Sequence, residues 1–254
     1  MPPSEHEKKC WAECLGNCSG GLSREHIISK AFFEDDSIQI SGFDWTEDEV
    51  RNIGLSSAVS KVLCKNHNSL LSPLDAEVKT AREHFLELSE LVSKDKKTDE
   101  LIGNVDGVKF ERWILKSTLN VIRASPKKYN YFFPDYLLVQ MAFGDVPFNY
   151  DTGQGLYWVD PKFYNHIVDS ANIINIRPII FSIEECSCLL GSLVTFCGFT
   201  FFLNTIDPLN KNLDTLNTNV GVNLIEKKYF HPPSIRTLTN KGFLDHQSII
   251  FTYS

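Results

Sequence analysis

Metal-type side chains occur in two short, well-separated groups, and this constrains the fold more than any other feature of the sequence. Cys10, Cys14 and Cys18 lie near the start of the chain, and Cys64 and His67 form a Cys-x-x-His pair. Structural zinc sites use four tetrahedral sulfur or nitrogen ligands, usually two from each of two short segments. The pattern therefore predicts one structural Zn²⁺ ion that fastens the two segments together.

Five side chains are candidates for these four zinc positions. Cys64 and His67 have the usual spacing of a ligand pair, with two residues between them. In the first group, successive cysteines have three residues between them, which is one more than usual. The second ligand pair must come from these three cysteines, and spacing alone leaves the choice open.

The composition is that of a globular protein kept in a reducing compartment. Seven cysteines are few for a disulfide scaffold in 254 residues, and the number is odd. Clustered cysteines in such a chain indicate metal binding before disulfides. We find no apolar leader at the start, and the apolar stretch 189–203 is shorter than the roughly 20 residues of a membrane helix. We expect a cytoplasmic protein without a membrane partner, and we assign 189–203 to the core of a sheet.

The net charge of −7 argues against a protein that coats nucleic acid non-specifically, because such proteins carry excess positive charge. It does not exclude a nuclease, whose acids hold metal and whose basic surface is local. The first third of the chain holds these basic residues: Lys8, Lys9, Arg24, Lys30, Lys61, Lys65, Lys79 and Arg82.

Two segments carry the residues that point to chemistry. Ser23-Arg24-Glu25-His26-Ile27-Ile28 places an acid beside a histidine, and Leu63-Cys64-Lys65-Asn66-His67-Asn68 places an asparagine directly after the Cys-x-x-His pair. Together they resemble the HNH nucleases, also called ββα-metal or His-Me finger nucleases. The resemblance covers roughly residues 10–92.

The resemblance implies a metal-dependent endonuclease that hydrolyses phosphodiester bonds in DNA, or alternatively in RNA. Glu25 would bind a catalytic Mg²⁺ or Mn²⁺ ion, His26 would be the general base, and Asn68 would complete the metal site. These residue types suit the reaction, because hydrolysis needs a base for the attacking water and a cation for the developing charge. The family context further implies a bacterial defence or mobile-element role.

The resemblance also bears on the zinc ligands, because a β-hairpin separates the first ligand pair from the acid–histidine pair in HNH proteins. Cys14 leaves enough residues for that turn, whereas Cys18 leaves few. We therefore expect the ligands to be Cys10, Cys14, Cys64 and His67, with Cys18 as the main substitute.

The sequence departs from the common HNH pattern in its acidic insertion at 34–58 and in the histidine that replaces the last cysteine. It also has no third metal-binding histidine. Asp75 has two interpretations: an additional metal ligand, or a capping box with Ser72 at the start of a helix. We favour the capping box.

We predict an α+β fold with a zinc-stapled ββα-metal (HNH) domain at 1–98 and a helix-plus-antiparallel-β accessory domain at 99–254. Apolar periodicity predicts helices at 73–92 and 112–124. Alternating and β-branched patterns predict strands around 25–28 and at 107–111, 136–141, 155–159, 173–181, 193–203 and 248–253.

Two alternatives to the nuclease stay open. The first is a non-catalytic zinc-stapled module that binds nucleic acid or protein. The second is a structural or assembly protein whose β-rich half is the main functional part. In either case the accessory half is expected to recognise substrate, sense a ligand, or mediate assembly with a second copy or a partner protein.

Overall fold

The computed structural model describes most of the chain. The described residues are 9–33, 35–41, 43–46, 49–93, 103–129, 132–158, 174–183, 186–206 and 249–253. The predicted boundary at residues 98 and 99 lies outside these residues. The protein is a mixture of helices and sheets, so the α+β class is confirmed.

Four α-helices and ten strands are present in the described residues. The helices are α1 Lys65–Leu71, α2 Pro73–Ser93, α3 Gly107–Ala124 and α4 Tyr136–Phe143. The strands are β1 Glu25–His26, β2 Ser37–Ile40, β3 Arg51–Gly54, β4 Val59–Ser60, β5 Gly103–Asp106, β6 Gly155–Trp158, β7 Ile174–Ile183, β8 Cys186–Phe196, β9 Phe199–Asn204 and β10 Ile249–Thr252.

The chain divides into two compact units. The first comprises Met1–Lys79, Arg112–Pro147 and Ile180–Leu189, and the second comprises Thr80–Glu111, Phe148–Ile179 and Leu190–Ser254. All the residues that the sequence predicts to be metal ligands or catalytic groups belong to the first unit.

In the first unit, β1 and β4 form a short antiparallel pair, and α1 begins soon after β4. Glu25 lies opposite Ser60, and His26 lies opposite Val59. The antiparallel hairpin of β2 and β3 is inserted between the two strands of this pair. It has its own small apolar core of Ile38, Leu55 and Ala58. The inserted segment is therefore a folded hairpin that leaves β1 and β4 free to pair with each other.

Helix α3 forms much of the core of the first unit, because its residues 113–123 are all buried. Trp11, which is fully buried, donates from its indole Nε1 to Oδ1 of Asn120 at 3.0 Å. Its ring also meets that of Phe143 edge-on, with the ring centres 5.9 Å apart. These contacts fix the start of the described chain, and with it Cys10, against the helical core.

The second unit is built around a cluster of phenylalanines. The rings of Phe85, Phe110, Phe201 and Phe251 lie with their centres between 5.5 and 6.4 Å apart. Strands pair in the order β6-β9-β8-β7 in one sheet, and β5 pairs in parallel with β10. This sheet confirms the assignment of 189–203 to a sheet core. Among the described residues, no helix combines the length and the apolar character that a membrane crossing requires.

Glu111 is a fully buried acid in the second unit. Its Oε2 accepts a hydrogen bond from the hydroxyl of Tyr150 at 2.7 Å, and its Oε1 accepts one from the backbone N–H of Leu156 at 2.8 Å. Burial raises the pKa of Glu111 to about 8, and these hydrogen bonds only partly oppose the rise. The carboxyl group fastens helix α3 to the segment that leads into β6.

Three predicted strands differ from the structure. Residues 107–111 begin helix α3, because Asp106 accepts the backbone N–H of Lys109 at 3.0 Å as an N-cap. Residues 136–141 form helix α4, which Asp135 caps at its start and Gly144 ends with a φ of 82°. The stretch predicted as a strand at 193–203 is two strands, because Cys197 (φ 49°) and Gly198 (φ 84°) form a turn between β8 and β9.

Candidate functional site

Four side chains of the first unit converge on one point. Cys10, Cys18, Cys64 and His67 place their ligand atoms within 4.8 Å of one another. Nδ1 of His67 lies 3.3 Å from Sγ of Cys10, 3.6 Å from Sγ of Cys18 and 3.3 Å from Sγ of Cys64. We call these four residues the Cys3His cluster.

This geometry fits a single zinc ion. With Zn–S near 2.3 Å and Zn–N near 2.1 Å, a tetrahedral site has sulfur and nitrogen about 3.6 Å apart. The three distances from His67 lie at or slightly below that value. A set of three thiols and one imidazole is also a known donor set of structural zinc. The cluster can therefore bind structural Zn²⁺, as the sequence predicts.

The backbone brings the two halves of the cluster together through a ladder of hydrogen bonds. The N–H groups of Trp11 and Ser23 donate to the carbonyl groups of Val62 and Leu63, at 3.0 and 2.8 Å. In the opposite direction, the N–H of Lys65 donates to the carbonyl of Gly21 at 2.9 Å. The cluster is thus supported by pairing that holds the two segments side by side.

The predicted preference for Cys14 over Cys18 is wrong in this structure. Cys14 is exposed in a single 3₁₀ turn, Glu13–Leu15, and is not part of the cluster. After that turn, Gly16 and Asn17 adopt positive φ angles of 73° and 56°. These left-handed residues reverse the chain and return Cys18 to the side of Cys10.

The electrostatic environment differs between the ligands: it favours the charged sulfur at Cys64 and the neutral imidazole at His67, but the neutral thiol at Cys10. Burial raises the pKa of Cys10 to about 12 and lowers the pKa of His67, which keeps its imidazole neutral. At Cys64 burial alone would raise the pKa, but hydrogen bonds from the backbone N–H groups of His67 and Ser19 bring the pKa below its usual value. The Cys64 sulfur accepts the His67 N–H at 3.4 Å, so the backbone already stabilises negative charge on this sulfur.

The predicted acid–histidine pair forms β1, which pairs with β4, the strand that precedes α1 in the chain. His26 is half-buried, and its Nε2 is buried with no hydrogen-bond partner among the described residues. Burial lowers the pKa of His26, and the charges of Lys30 and Lys116 act in the same direction, while those of Glu25 and Asp75 oppose it. The ring is therefore neutral near pH 7.

Glu25 does not face open solvent, because a buried lysine pairs with it. Nζ of Lys116 lies 3.1 Å from Oε1 of Glu25. The same ammonium donates to both carboxylate oxygens of Asp75, at 3.2 and 3.1 Å. The side chain of Lys116 is 2% exposed, and that of Glu25 is 10% exposed. We call Glu25, Asp75 and Lys116 the carboxylate–lysine cluster.

The capping box predicted for Ser72 and Asp75 is absent. The Ser72 hydroxyl donates to the carbonyl of Ser69 at 2.9 Å, and the Ser72 N–H also donates to that carbonyl. Ser72 is therefore at the end of α1, and the Asp75 carboxylate is directed to Lys116 instead. A charged partner in the core outcompetes a backbone N–H at an exposed helix end.

Comparisons with family models, curated proteins and solved structures find no match for this chain. The resemblance to HNH nucleases therefore rests on the two sequence segments, and the Cys3His cluster is compatible with a zinc-stapled motif.

The predicted catalytic metal site does not fit the residues that are present. Asn68 lies in the first turn of α1, where its backbone N–H donates to the backbone carbonyl of Cys64 at 2.9 Å. Glu25 is already paired with an ammonium group, and a Mg²⁺ ion needs open positions for several waters. Within the described residues, the Cys3His cluster is the one group of three or more His, Cys, Asp or Glu side chains close enough to hold a metal.

Lys116 is the site residue that sequence reasoning missed. A signal was present, because Lys116 stands three residues from both Trp113 and Leu119 on the apolar stripe of its helix. A lysine that is carried into a core requires a buried acid as its partner.

Proposed function

We propose that this protein is an HNH-type endonuclease that hydrolyses phosphodiester bonds in DNA, with His26 as the general base. The observation that carries the proposal is the half-buried His26, held on a strand that pairs with the segment leading into the Cys3His cluster. Two short antiparallel strands followed by a helix and stapled by metal ligands are what the HNH resemblance implies. RNA is the alternative substrate.

The base role of His26 follows from its state and its environment. A neutral imidazole can take a proton from water, and burial favours the neutral form of this ring. In the hydrolysis, the water oxygen forms a bond to phosphorus while the imidazole of His26 takes its proton. The bridging P–O bond breaks, and the leaving oxygen acquires a proton from solvent.

Lys30 is the basic residue best placed to contact the substrate phosphate. It is exposed, and it lies close enough to His26 for its charge to lower the pKa of that ring. Lys61 and Lys65 are also exposed, and they flank the segment between β4 and α1. These residues give the site local positive charge in a chain whose net charge is −7.

A cavity of about 290 Å³ adjoins the same strand pair. Ile27, which directly follows β1, and Val59 of β4 line it, and Trp45 lines it from the inserted segment. Trp45 is 40% exposed and stacks on Phe43, with ring centres 5.7 Å apart. In the proposed function this cavity takes a nucleotide beside the scissile phosphate, because aromatic side chains stack on bases of any sequence.

The resemblance implies dependence on Mg²⁺ or Mn²⁺, but the residues around Glu25 do not fit such an ion. Such an ion would supply a Lewis acid for the leaving oxygen. No step above passes through it, because Glu25 is already paired with Lys116.

A second candidate function is a non-catalytic module that keeps the zinc-stapled scaffold and binds nucleic acid or protein. The observation that favours it is the carboxylate–lysine cluster. There a buried ammonium group neutralises the acid that the nuclease pattern assigns to catalysis. The role of the second unit in substrate recognition or assembly stays a prediction under both candidates.

Plasmid nicking separates the two candidates. The assay measures conversion of supercoiled to open-circular DNA by zinc-loaded protein, with and without Mg²⁺ or Mn²⁺. We expect His26→Ala to lower the rate by at least about 100-fold, the lower end for loss of a general base. His84→Ala is the matched control, because His84 belongs to neither the Cys3His cluster nor the carboxylate–lysine cluster. Equal rates for wild type and His26→Ala would disprove the base role, and binding without cleavage by every protein would favour the module.

A further inference from the structure

The carboxylate–lysine cluster contains an internal cation where the HNH pattern expects a metal ion. Lys116 contacts one oxygen of Glu25 and both oxygens of Asp75, each at 3.1 or 3.2 Å. Three carboxylate oxygens thus lie within 3.2 Å of the ammonium nitrogen, as many as its N–H donors. The two acids lie on different elements, β1 and α2, and the lysine reaches them from α3.

A dication and this ammonium group are alternatives. Both are cations that the same two carboxylates would attract, and the ammonium already occupies the contact position on each of them. With Lys116 in place, an added divalent cation would be repelled by a buried positive charge that water barely screens. Without Lys116, the nearly buried carboxylate of Glu25 and the partly buried carboxylate of Asp75 would repel each other and attract a hard cation.

His26 borders this cluster. His26 follows Glu25 directly in β1, and the charges of Glu25, Asp75 and Lys116 all act on the pKa of its ring. An ammonium group fixed by three elements holds Glu25 in one position beside His26, as a metal ion would, but it brings no bound waters.

We propose that the ammonium of Lys116 takes the place of the hydrolytic metal ion, so that Glu25 and Asp75 bind an internal cation instead of Mg²⁺ or Mn²⁺. Lys116 is a positioning residue, because its buried nitrogen reaches a substrate only through Glu25 and His26. The catalytic consequence rests on the proposed nuclease function, whereas the metal-binding consequence does not.

The first experiment measures Mn²⁺ binding by titrating MnCl₂ into zinc-loaded protein and recording the free-Mn²⁺ electron paramagnetic resonance signal. We expect wild type and Glu25→Gln to bind Mn²⁺ equally weakly. We expect Lys116→Met to bind one Mn²⁺ ion at least tenfold more tightly than wild type, and Lys116→Met with Glu25→Gln to lose that gain. Zinc content and circular dichroism show whether each variant is folded.

The proposal fails if wild type binds Mn²⁺ tightly and Glu25→Gln weakens that binding, because a metal would then share the acid with Lys116. A folded Lys116→Met protein that gains no Mn²⁺ site would also overturn it, because the two acids would then not form a cation site. If Lys116→Met does not fold, the comparison of wild type with Glu25→Gln still decides the matter.

The second experiment tests the catalytic consequence by nicking with zinc-loaded wild type in buffer freed of other divalent ions. We expect the rate to change less than threefold when Mg²⁺ is added to 10-fold excess over DNA phosphate. A rate that appears only with Mg²⁺ or Mn²⁺ would overturn the inference while supporting the proposed function. No cleavage under any condition would refute the proposed function and leave the Mn²⁺ experiment to decide the inference.

Discussion

The ammonium nitrogen of Lys116 lies 3.1 Å from Oε1 of Glu25, although the two residues are far apart in the sequence. Both side chains are nearly buried, and Asp75 completes the cluster. Removal of the lysine would leave two acids close together without a counter-charge. The cluster therefore matters for stability whatever its role in catalysis.

We expect Lys116→Met to lower the free energy of unfolding by about 3–5 kcal/mol, the usual cost of removing one partner of a buried ion pair. Urea unfolding in the absence of added divalent ions measures this cost. Lys61→Met is the matched control, because Lys61 is exposed, and its substitution is expected to change stability by less than about 0.5 kcal/mol. A similar small change for Lys116→Met would show that the pair contributes nothing measurable.

We expect Cys18→Ala to lose zinc and Cys14→Ala to keep it. Cys18 belongs to the Cys3His cluster, and Cys14 is exposed outside it. The measurement is zinc per chain after gel filtration, with one equivalent expected for wild type and for Cys14→Ala. The reverse pattern would restore Cys14 as the ligand and contradict the geometry of the cluster.

We expect a chelator that removes zinc to unfold the first unit. The two segments around Cys10 and Cys64 are short and rich in turns, and the metal joins them. Since a metal bound only by the folded state stabilises that state, EDTA is expected to lower the melting temperature of wild type. The same treatment of Cys64→Ala, which lacks one ligand, is expected to have little further effect.

We expect stability to fall as the pH rises from 4.5 to 8, through the buried acid Glu111. Its pKa is raised from 4.5 to about 8 in the folded protein, so the folded state keeps a proton that the unfolded chain releases. The contribution is complete below pH 4.5 and is lost as the pH approaches 8, with a total of at most about 5 kcal/mol. Tyr150, Tyr157, Tyr253 and Asp106 surround this acid or lie near it.

Glu111→Gln is expected to flatten this pH dependence, because a neutral amide needs no proton to remain buried. Denaturant titrations at pH 5, 7 and 9 measure the slope. Glu83→Gln, at an exposed position on α2, is the control and is expected to keep the wild-type slope. An unchanged slope in Glu111→Gln would mean that Glu111 is ionised in the folded protein.

We expect Lys30→Ala to weaken DNA binding and to lower its salt dependence. The exposed Lys30 lies near His26, and each phosphate contact contributes roughly 0.9 to the slope of log affinity against log salt. Fluorescence anisotropy at several NaCl concentrations measures this slope. Lys127→Ala, which removes another exposed lysine of the first unit, is the control. Equal slopes for wild type and Lys30→Ala would exclude a phosphate contact at this residue.

Local features of the sequence were sufficient for helix α2, for the buried stretch 189–203 and for the metal cluster in outline. The Cys-x-x-His spacing identified Cys64 and His67, because two ligands at the start of one helix are fixed by local geometry alone. The long helix α2 was predicted to within a residue at its end, because its apolar spacing repeats over many turns. The buried character of 189–203 was equally clear from its β-branched and aromatic residues.

Tertiary structure decided which residues meet. The choice of Cys18 depends on two left-handed residues that reverse the first segment, and no spacing rule reveals such a reversal. Helix α3 begins at Gly107 because Asp106 caps it, and this cap outweighs the strand-like composition of residues 107–111. Above all, Lys116 reaches Glu25 and Asp75 only after three elements have packed. A buried charge requires a partner, but the sequence does not say which distant residue supplies it.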